Sequence, residues 1–294
     1  MSIRQVTIVG TGLIGGSFAL GLRKHGFTGR IVGCDRPAVL ERATARGAIE
    51  AGYPHPFEAV RGSQLVLLAA PVAGIVDLIG RLGPTTSGDV LLTDVGSTKQ
   101  QIVACAKNVM GTQVGQRFLG GHPMAGKEQS GVDFADATLF EGAAWFVTPA
   151  RGQNLDQGIC GEFLYWVEKM GARVARIDPE EHDLLCAWIS HLPQMISTAL
   201  AAALVEEYGP DAPLLEAGGR ALREMTRISA SPYSMWRDIA ITNKKNLQQV
   251  LLKLEQRLAH IRENLDTGQL VQEFEEAHRL RKLPPRSHGD AKRR

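Results

Sequence analysis

Several features that would assign the chain to a secreted, membrane or nucleic-acid-binding class are scarce. Only four cysteines occur among 294 residues, at positions 34, 105, 160 and 186. None forms a Cys-x-x-Cys pair and no Cys/His group has zinc-ligand spacing, so free thiols in a reducing compartment are expected, with no metal. Charge of one sign is also missing. Lys and Arg total 33 against 31 Asp and Glu, a formal charge of +2. That balance gives no global attraction to nucleic acid or to a membrane surface. The basic excess lies in a tail carrying Arg286, Lys292, Arg293 and Arg294. No uninterrupted apolar run approaches the length of a membrane span. The opening MSIRQVTIVG enters a strand at once, without the charged and apolar regions of a signal peptide, so a cytoplasmic location is expected.

What is present is an ordinary globular composition, 44% hydrophobic and 22% charged. The first half alternates short apolar runs with helical spacing. The runs are VTIVG (6–10), RIVGCD (30–35), QLVLLAAP (64–71), DVLLTDVG (89–96), RFLGGHP (117–123) and AAWFVTP (143–149). Continuous apolar strands alternating with helices predict a Rossmann-type, doubly wound, mostly parallel sheet. A helix over about 153–170 and the strand ARVARID extend it. The pattern then changes. Asp178-Pro179-Glu180-Glu181 reads as a helix start, and only helices follow. One is expected over 179–207, interrupted near Pro193, a second over 212–227, and a last one over 232–266. In the last, Leu247, Val250, Leu251, Leu254, Leu258, Ile261 and Leu265 form a stripe at helical spacing that suits a homodimer. The domains are thus expected at 1–178 (dinucleotide-binding) and 179–283 (all-α, substrate and dimerisation), with a disordered tail at 284–294.

Gly10-Thr11-Gly12-Leu13-Ile14-Gly15 directly follows a strand and opens a helix, the context a dinucleotide fingerprint requires. Asp35 ends the second run. A carboxylate there accepts both ribose hydroxyls and repels a 2′-phosphate, which favours NAD; Arg36 beside it keeps NADP open. Ala70 and Pro71 follow another strand and suit a nicotinamide neighbourhood. His122 ends RFLGGHP, held extended by Pro123, with Gly120 and Gly121 leaving space around the ring. Ser97 is expected either to cap the next helix or to meet a substrate, and Lys99 to sit on solvated helix surface.

Together GTGLIGGS (10–17), DVGSTK (94–99), GGHPMAGKEQSG (120–131), HD (182–183), SHLPQ (190–194) and TRISASPYSMWRDI (226–239) resemble the TyrA family of prephenate and arogenate dehydrogenases. The resemblance covers residues from the first strand to about 265. It implies NAD-dependent oxidative decarboxylation of prephenate to 4-hydroxyphenylpyruvate in tyrosine biosynthesis. It makes His122 the acceptor for the substrate C4 hydroxyl, Ser97 its orienting partner, and Arg227 the grip on a substrate carboxylate. It places His182 and Asp183 on the cleft, Trp236 over the substrate pocket, and Gln194 where many members carry a histidine; His191, just before Pro193, is expected either to serve the helix interruption structurally or to contact substrate. That replacement leaves arogenate, or dual cyclohexadienyl specificity, as the alternative, and leaves feedback by tyrosine open. Neither a regulatory nor a chorismate mutase domain is expected. A β-hydroxyacid dehydrogenase would carry a lysine on the interdomain helix, and 179–207 contains none. A nucleotide-binding sensor without turnover would need neither His122 nor Arg227.

Overall fold

The apolar runs become eight strands of one sheet in a computed structural model that describes residues 3–86, 88–209 and 217–282. They are β1 (Gln5–Val9), β2 (Arg30–Cys34), β3 (Ala51–Tyr53), β4 (Leu65–Leu68), β5 (Leu91–Asp94), β6 (Phe118–Pro123), β7 (Ala144–Thr148) and β8 (Arg173–Arg176). Their order is β3-β2-β1-β4-β5-β6-β7-β8. The first six are parallel, in the order of a dinucleotide-binding fold. β7 runs antiparallel to β6, and β8 parallel to β7. β3 is too short, and centred on too small a residue (Gly52), to have shown as an apolar run.

The central strands serve two cores, because successive side chains leave a strand on opposite faces. Leu65 and Leu67 of β4 join Phe18, Leu22, Trp145 and Phe163 on one side. Val66 and Leu68 join Ile75, Ile79, Ile102 and Phe118 on the other. Burying a Leu or Ile fully is worth about 1.5–3 kcal/mol, so the alternation along β4 and β1 holds helices on both faces. This fixes the carboxyl ends of β1, β4, β5 and β6 as neighbours.

The long helix begins at Pro179 as expected and runs to Tyr208. The interruption at Pro193 takes a specific form. Residues Ala187–His191 are a π turn, with the Leu192 amide donating to the Ala187 carbonyl. A wider turn accommodates the proline without ending the helix. By length and composition this helix could cross a membrane, at a mean hydropathy of 1.2. It nevertheless buries His182, Asp183, His191 and Gln194, which marks a helix packed against protein.

The remaining helices are Gly219–Thr226, Tyr233–Thr242, Lys244–Glu263 and Gln269–Lys282, with a 3-10 turn at Arg227–Ala230. The beginning of the helix expected over 212–227 lies outside the described residues, as does the tail 284–294. The helix expected over 232–266 is broken at Asn243, whose side-chain amide instead donates to the Asp183 carbonyl at 2.7 Å. The helix Gln269–Lys282 had no expectation attached to it. The chain divides into two compact units, between Leu247 and Gln248. In the second, Arg257 Nη1 meets Glu273 Oε1 at 2.6 Å and links its two helices.

Candidate active site

The glycine loop after β1 uses its three glycines differently. Gly10 has φ +97, and a Cβ there would strike the Ala69 carbonyl. At Gly15 a Cβ would strike the Gly10 carbonyl and come 2.8 Å from Ile8 Cγ2. Gly12 faces open space. The first position thus makes the turn, the third lets helix and strand approach, and the second leaves room for a pyrophosphate. The helix Leu13–Lys24 has no acidic residue in its first turn. Its leading amides and positive dipole end, including those of Leu13 and Ile14, are free to meet an anion. Asp35 closes the loop: its Oδ2 accepts the Thr11 amide at 2.9 Å, and its Oδ1 accepts the Arg36 amide at 2.8 Å. Ala70 and Pro71 follow the end of β4, and Arg36 is exposed. These residues fit a dinucleotide.

Glycines of GGHP have a different purpose from the one expected. Gly120 and Gly121 lie inside β6, paired with Thr148 and Val147. A Cβ on Gly121 would come within 2.5 Å of the Asp94 carbonyl oxygen and 3.1 Å of Trp145 Nε1; one on Gly120 would strike Thr148 Oγ1. They let β5, β6 and β7 crowd together rather than clearing space around the ring. Only Gly126, further along, faces open space. His122 itself is 8% exposed.

Behind His122 runs a chain of polar groups. Its Nδ1 lies 2.9 Å from His182 Nε2, and His182 Nδ1 lies 2.9 Å from Asp183 Oδ1. A carboxylate only accepts, so His182 carries its proton on Nδ1 and presents a lone pair at Nε2. His122 must then donate from Nδ1, which leaves the lone pair on His122 Nε2. Burial lowers the pKa of both histidines; for His122 the nearby His182, Lys99 and His191 lower it further. Both rings are therefore neutral at neutral pH. His182 and Asp183 are fully buried, so they stand behind His122 rather than on an open cleft wall.

Lys99 is also fully buried, contrary to the expected solvated surface. Its ammonium pairs with Asp94 and donates to the Gly121 carbonyl at 2.7 Å. Asp94 in turn accepts the Gly96 and Gly121 amides at 2.8 and 3.1 Å. A charged pair thereby clamps the end of β5 to β6 immediately before His122. Nor does Ser97 cap the helix Gln100–Met110. Asp183 accepts the Lys99 and Gln100 amides there, at 2.6 and 3.0 Å. This leaves the half-buried Ser97 without a capping role. Asp94 and Lys99 are site residues that sequence reasoning did not assign; their signals were the strand-end position of Asp94 and their place at the two ends of DVGSTK.

The other expected residues fall into two groups. His191 Nδ1 lies 3.1 Å from Asn243 Nδ2, its ring meets Trp236 edge-on at 5.9 Å, and burial pushes its pKa down to about 4. Gln194 is buried, and its amide donates to the Ile228 carbonyl at 2.9 Å. It thereby holds the 3-10 turn that begins with Arg227. Arg227 is exposed and pairs with Glu128, in the loop beyond His122. The structure joins His122, His182 and Asp183 directly, and sets His191 and Trp236 together. Among the described residues the ion-pair partner of Arg227 is Glu128 rather than any of these, and Gln194 fixes its turn.

Comparison with known proteins bears on this arrangement. Residues 18–176 match the family model described as prephenate dehydrogenase, nucleotide-binding domain, and residues 178–279 match prephenate dehydrogenase, dimerization domain. A prephenate dehydrogenase of Lactococcus lactis subsp. cremoris is 32% identical, over 94% of this chain and 79% of its own length. Among solved structures, prephenate dehydrogenase from A. aeolicus in complex with hydroxyphenyl propionate and NAD+ superposes with a TM-score of 0.86. It is 32% identical, with 96% of this chain and 98% of that one covered. Arogenate dehydrogenase of Synechocystis gives a TM-score of 0.72 at 28% identity, covering 94% and 95%.

Proposed function

Because the chain belongs to the prephenate dehydrogenase family, we propose that it oxidises and decarboxylates prephenate to 4-hydroxyphenylpyruvate, with NAD as the acceptor. The observation that carries this reading is the Asp183–His182–His122 chain, which ends in a free lone pair at the carboxyl edge of a dinucleotide-binding sheet. That edge is where such sheets bind ligands.

Bound NAD supplies the acceptor for the substrate C4 hydride. The loop Gly10–Gly15 and the helix start at Leu13 and Ile14 would hold its pyrophosphate, Asp35 its ribose, and Ala70 and Pro71 would flank the nicotinamide. His122 Nε2 takes the C4 hydroxyl proton as the hydride leaves the same carbon. Ser97 orients that hydroxyl. Arg227 grips a carboxylate of the substrate with its planar fork, which suits a bidentate contact. The ring carboxylate leaves as carbon dioxide and the ring becomes aromatic. Aromatisation supplies the driving force, so the protein's contribution is placement and proton handling.

Asp35 favours NAD over NADP, and the A. aeolicus neighbour was solved with NAD+. Arogenate is the second reading, favoured by the likeness to the Synechocystis enzyme and by Gln194. We assign the working state as a homodimer. The match to a dimerization domain supports it. So do the exposed apolar residues Leu252, Leu258, Leu265, Val271 and Phe274 of the second unit. Nicotinamide reduction measured with prephenate and with arogenate, each with NAD and with NADP, tests the reading. Turnover of prephenate with NAD is expected; no turnover of either substrate sinks it. Light scattering of the purified chain reports the dimer.

A further inference from the structure

The proposed base and two side chains behind it end in atoms that metals bind. His122 Nδ1, His182 Nε2 and Cys186 Sγ lie within 4.8 Å of one another, and all three residues are buried. The separations are 2.9 Å between the two nitrogens, 3.4 Å from sulfur to His182 Nε2 and 3.8 Å from sulfur to His122 Nδ1. A tetrahedral zinc ion, with Zn–N about 2.0–2.1 Å and Zn–S about 2.3 Å, sets neighbouring nitrogens roughly 3.4 Å apart and nitrogen and sulfur roughly 3.6 Å apart. Each edge of the triangle already agrees to within about half an ångström. The spacing along the chain concealed this, since His122 and His182 are 60 residues apart.

Outer support and charge also agree. His182 is tied through its other nitrogen to Asp183, the carboxylate–histidine arrangement that orients metal ligands, and Asp183 is itself fixed by the amides of Lys99 and Gln100. Lys99 and Asp94 neutralise each other. Asp183 and a Cys186 thiolate then leave two negative charges, which a dication balances. Soft nitrogen and sulfur donors select zinc and its relatives over magnesium or calcium.

We propose that His122, His182 and Cys186 form an inhibitory site for a zinc-type divalent cation, with water as the fourth ligand. Coordination displaces the proton shared between the two imidazoles. His122 binds through Nδ1, so its proton sits on Nε2 and the lone pair that would accept the substrate proton is lost. The Cys186 thiol gives its proton to solvent, so one proton is released per ion. Without a metal this buried thiol is inert, its pKa pushed up to about 12 by burial and then by Asp183. The inhibitory consequence rests on the proposed function; binding of the ion does not.

The test uses the full chain, first stripped with a chelator. With zinc chloride, one ion per chain should survive desalting. Dehydrogenase activity should fall at least about tenfold at one equivalent and return with EDTA. With cobalt(II), the chain should show the strong visible bands of a tetrahedral ion and the near-ultraviolet band of thiolate-to-cobalt charge transfer. Cys186→Ser should lose that charge-transfer band and require about tenfold or more zinc for half-inhibition. Failure to retain zinc, a cobalt spectrum without the thiolate band, or equal zinc sensitivity in Cys186→Ser overturns the proposal. The cobalt spectrum of the unmodified chain decides the matter even if the variant does not fold. A thiolate band in a chain that turns over neither substrate would leave the metal site standing and remove the proposed reaction.

Discussion

The carboxylate of Asp183 accepts the backbone amide of Lys99 at 2.6 Å and, on the same oxygen, faces His182 Nδ1 at 2.9 Å. One side chain on the long helix thus starts the helix after β5 and sets the tautomer of the histidine behind the base. The Lys99 side chain turns back to the end of β5 and to Gly121. Helix, strand ends and base are parts of one hydrogen-bonded unit.

Replacing the base tests its assignment. His122→Asn should lower kcat by about 10²–10⁴-fold and change KM much less. In the unmodified chain the lowered pKa of His122 puts the acid limb of kcat/KM below pH 6.5, because the base is lost only when Nε2 is protonated. Steady-state kinetics across pH check both outcomes, and a dominant KM effect would make His122 a binding residue.

Arg227→Ala should act mainly on KM, since it removes a charge-assisted contact made before the chemistry. Gln194→Ala should raise KM less, because it only loosens the turn whose Ile228 carbonyl it holds. Initial rates over a range of substrate concentrations separate these effects, and an unchanged KM in Arg227→Ala removes that residue as the carboxylate grip.

The glycines of β6 predict unequal costs. Gly121→Ala drives a methyl group against a backbone carbonyl 2.5 Å away, which cannot rotate aside, so about 1–3 kcal/mol of stability should be lost. Gly120→Ala meets a threonine hydroxyl and should cost less. Thermal or denaturant melts of the two variants give the ranking.

Stability should also fall on mild acidification. Folded His191 titrates near 4 and an unfolded histidine near 6.5. Between those values the unfolded chain binds the extra proton, so stability rises with pH and is lost as pH falls from 6.5 toward 4, by up to about 1.4 kcal/mol per unit. His191→Asn should flatten the dependence by one proton's worth, read from melts at pH 7, 6 and 5.

Replacing Asp35 tests its proposed role in cofactor choice. Asp35→Ser removes the carboxylate that repels a 2′-phosphate, so the ratio of kcat/KM for NADP to that for NAD should rise. An unchanged ratio would give the choice to Arg36 or another group. The variant also loses the bond to the Thr11 amide, so a modest drop in Tm is expected alongside.

What could be read from the sequence was what is local. The glycine loop, most strands, the helix start at Pro179 and the position of His122 at a strand end are each written within a dozen residues. The reversed direction of β7 is not, since an apolar run has no sense until it pairs. Lys99 looked like helix surface because its partner, Asp94, lies across a loop that folds back on itself. Ser97 looked like a cap because the true cap, Asp183, arrives from a helix 83 residues beyond Gln100. The break at Asn243 was hidden within an otherwise helical pattern, because its cause is a carbonyl at Asp183.

The π turn at Ala187–His191 has an evolutionary side. In a regular α-helix each residue advances about 100°, so five residues separating Cys186 from His191 would carry the second away from the face of the first. The wider turn takes up most of that excess, and His182, Cys186 and His191 are all buried. The turn behaves as a single-residue insertion that the helix has absorbed without breaking. Deleting one residue there would return the segment to a regular α-helix and leave Gln194 and everything after it facing much as before relative to His182. The length between the HD and SHLPQ segments can therefore change by one residue at the turn with the buried face kept in register, the change falling beside the exposed Trp188 and Ile189.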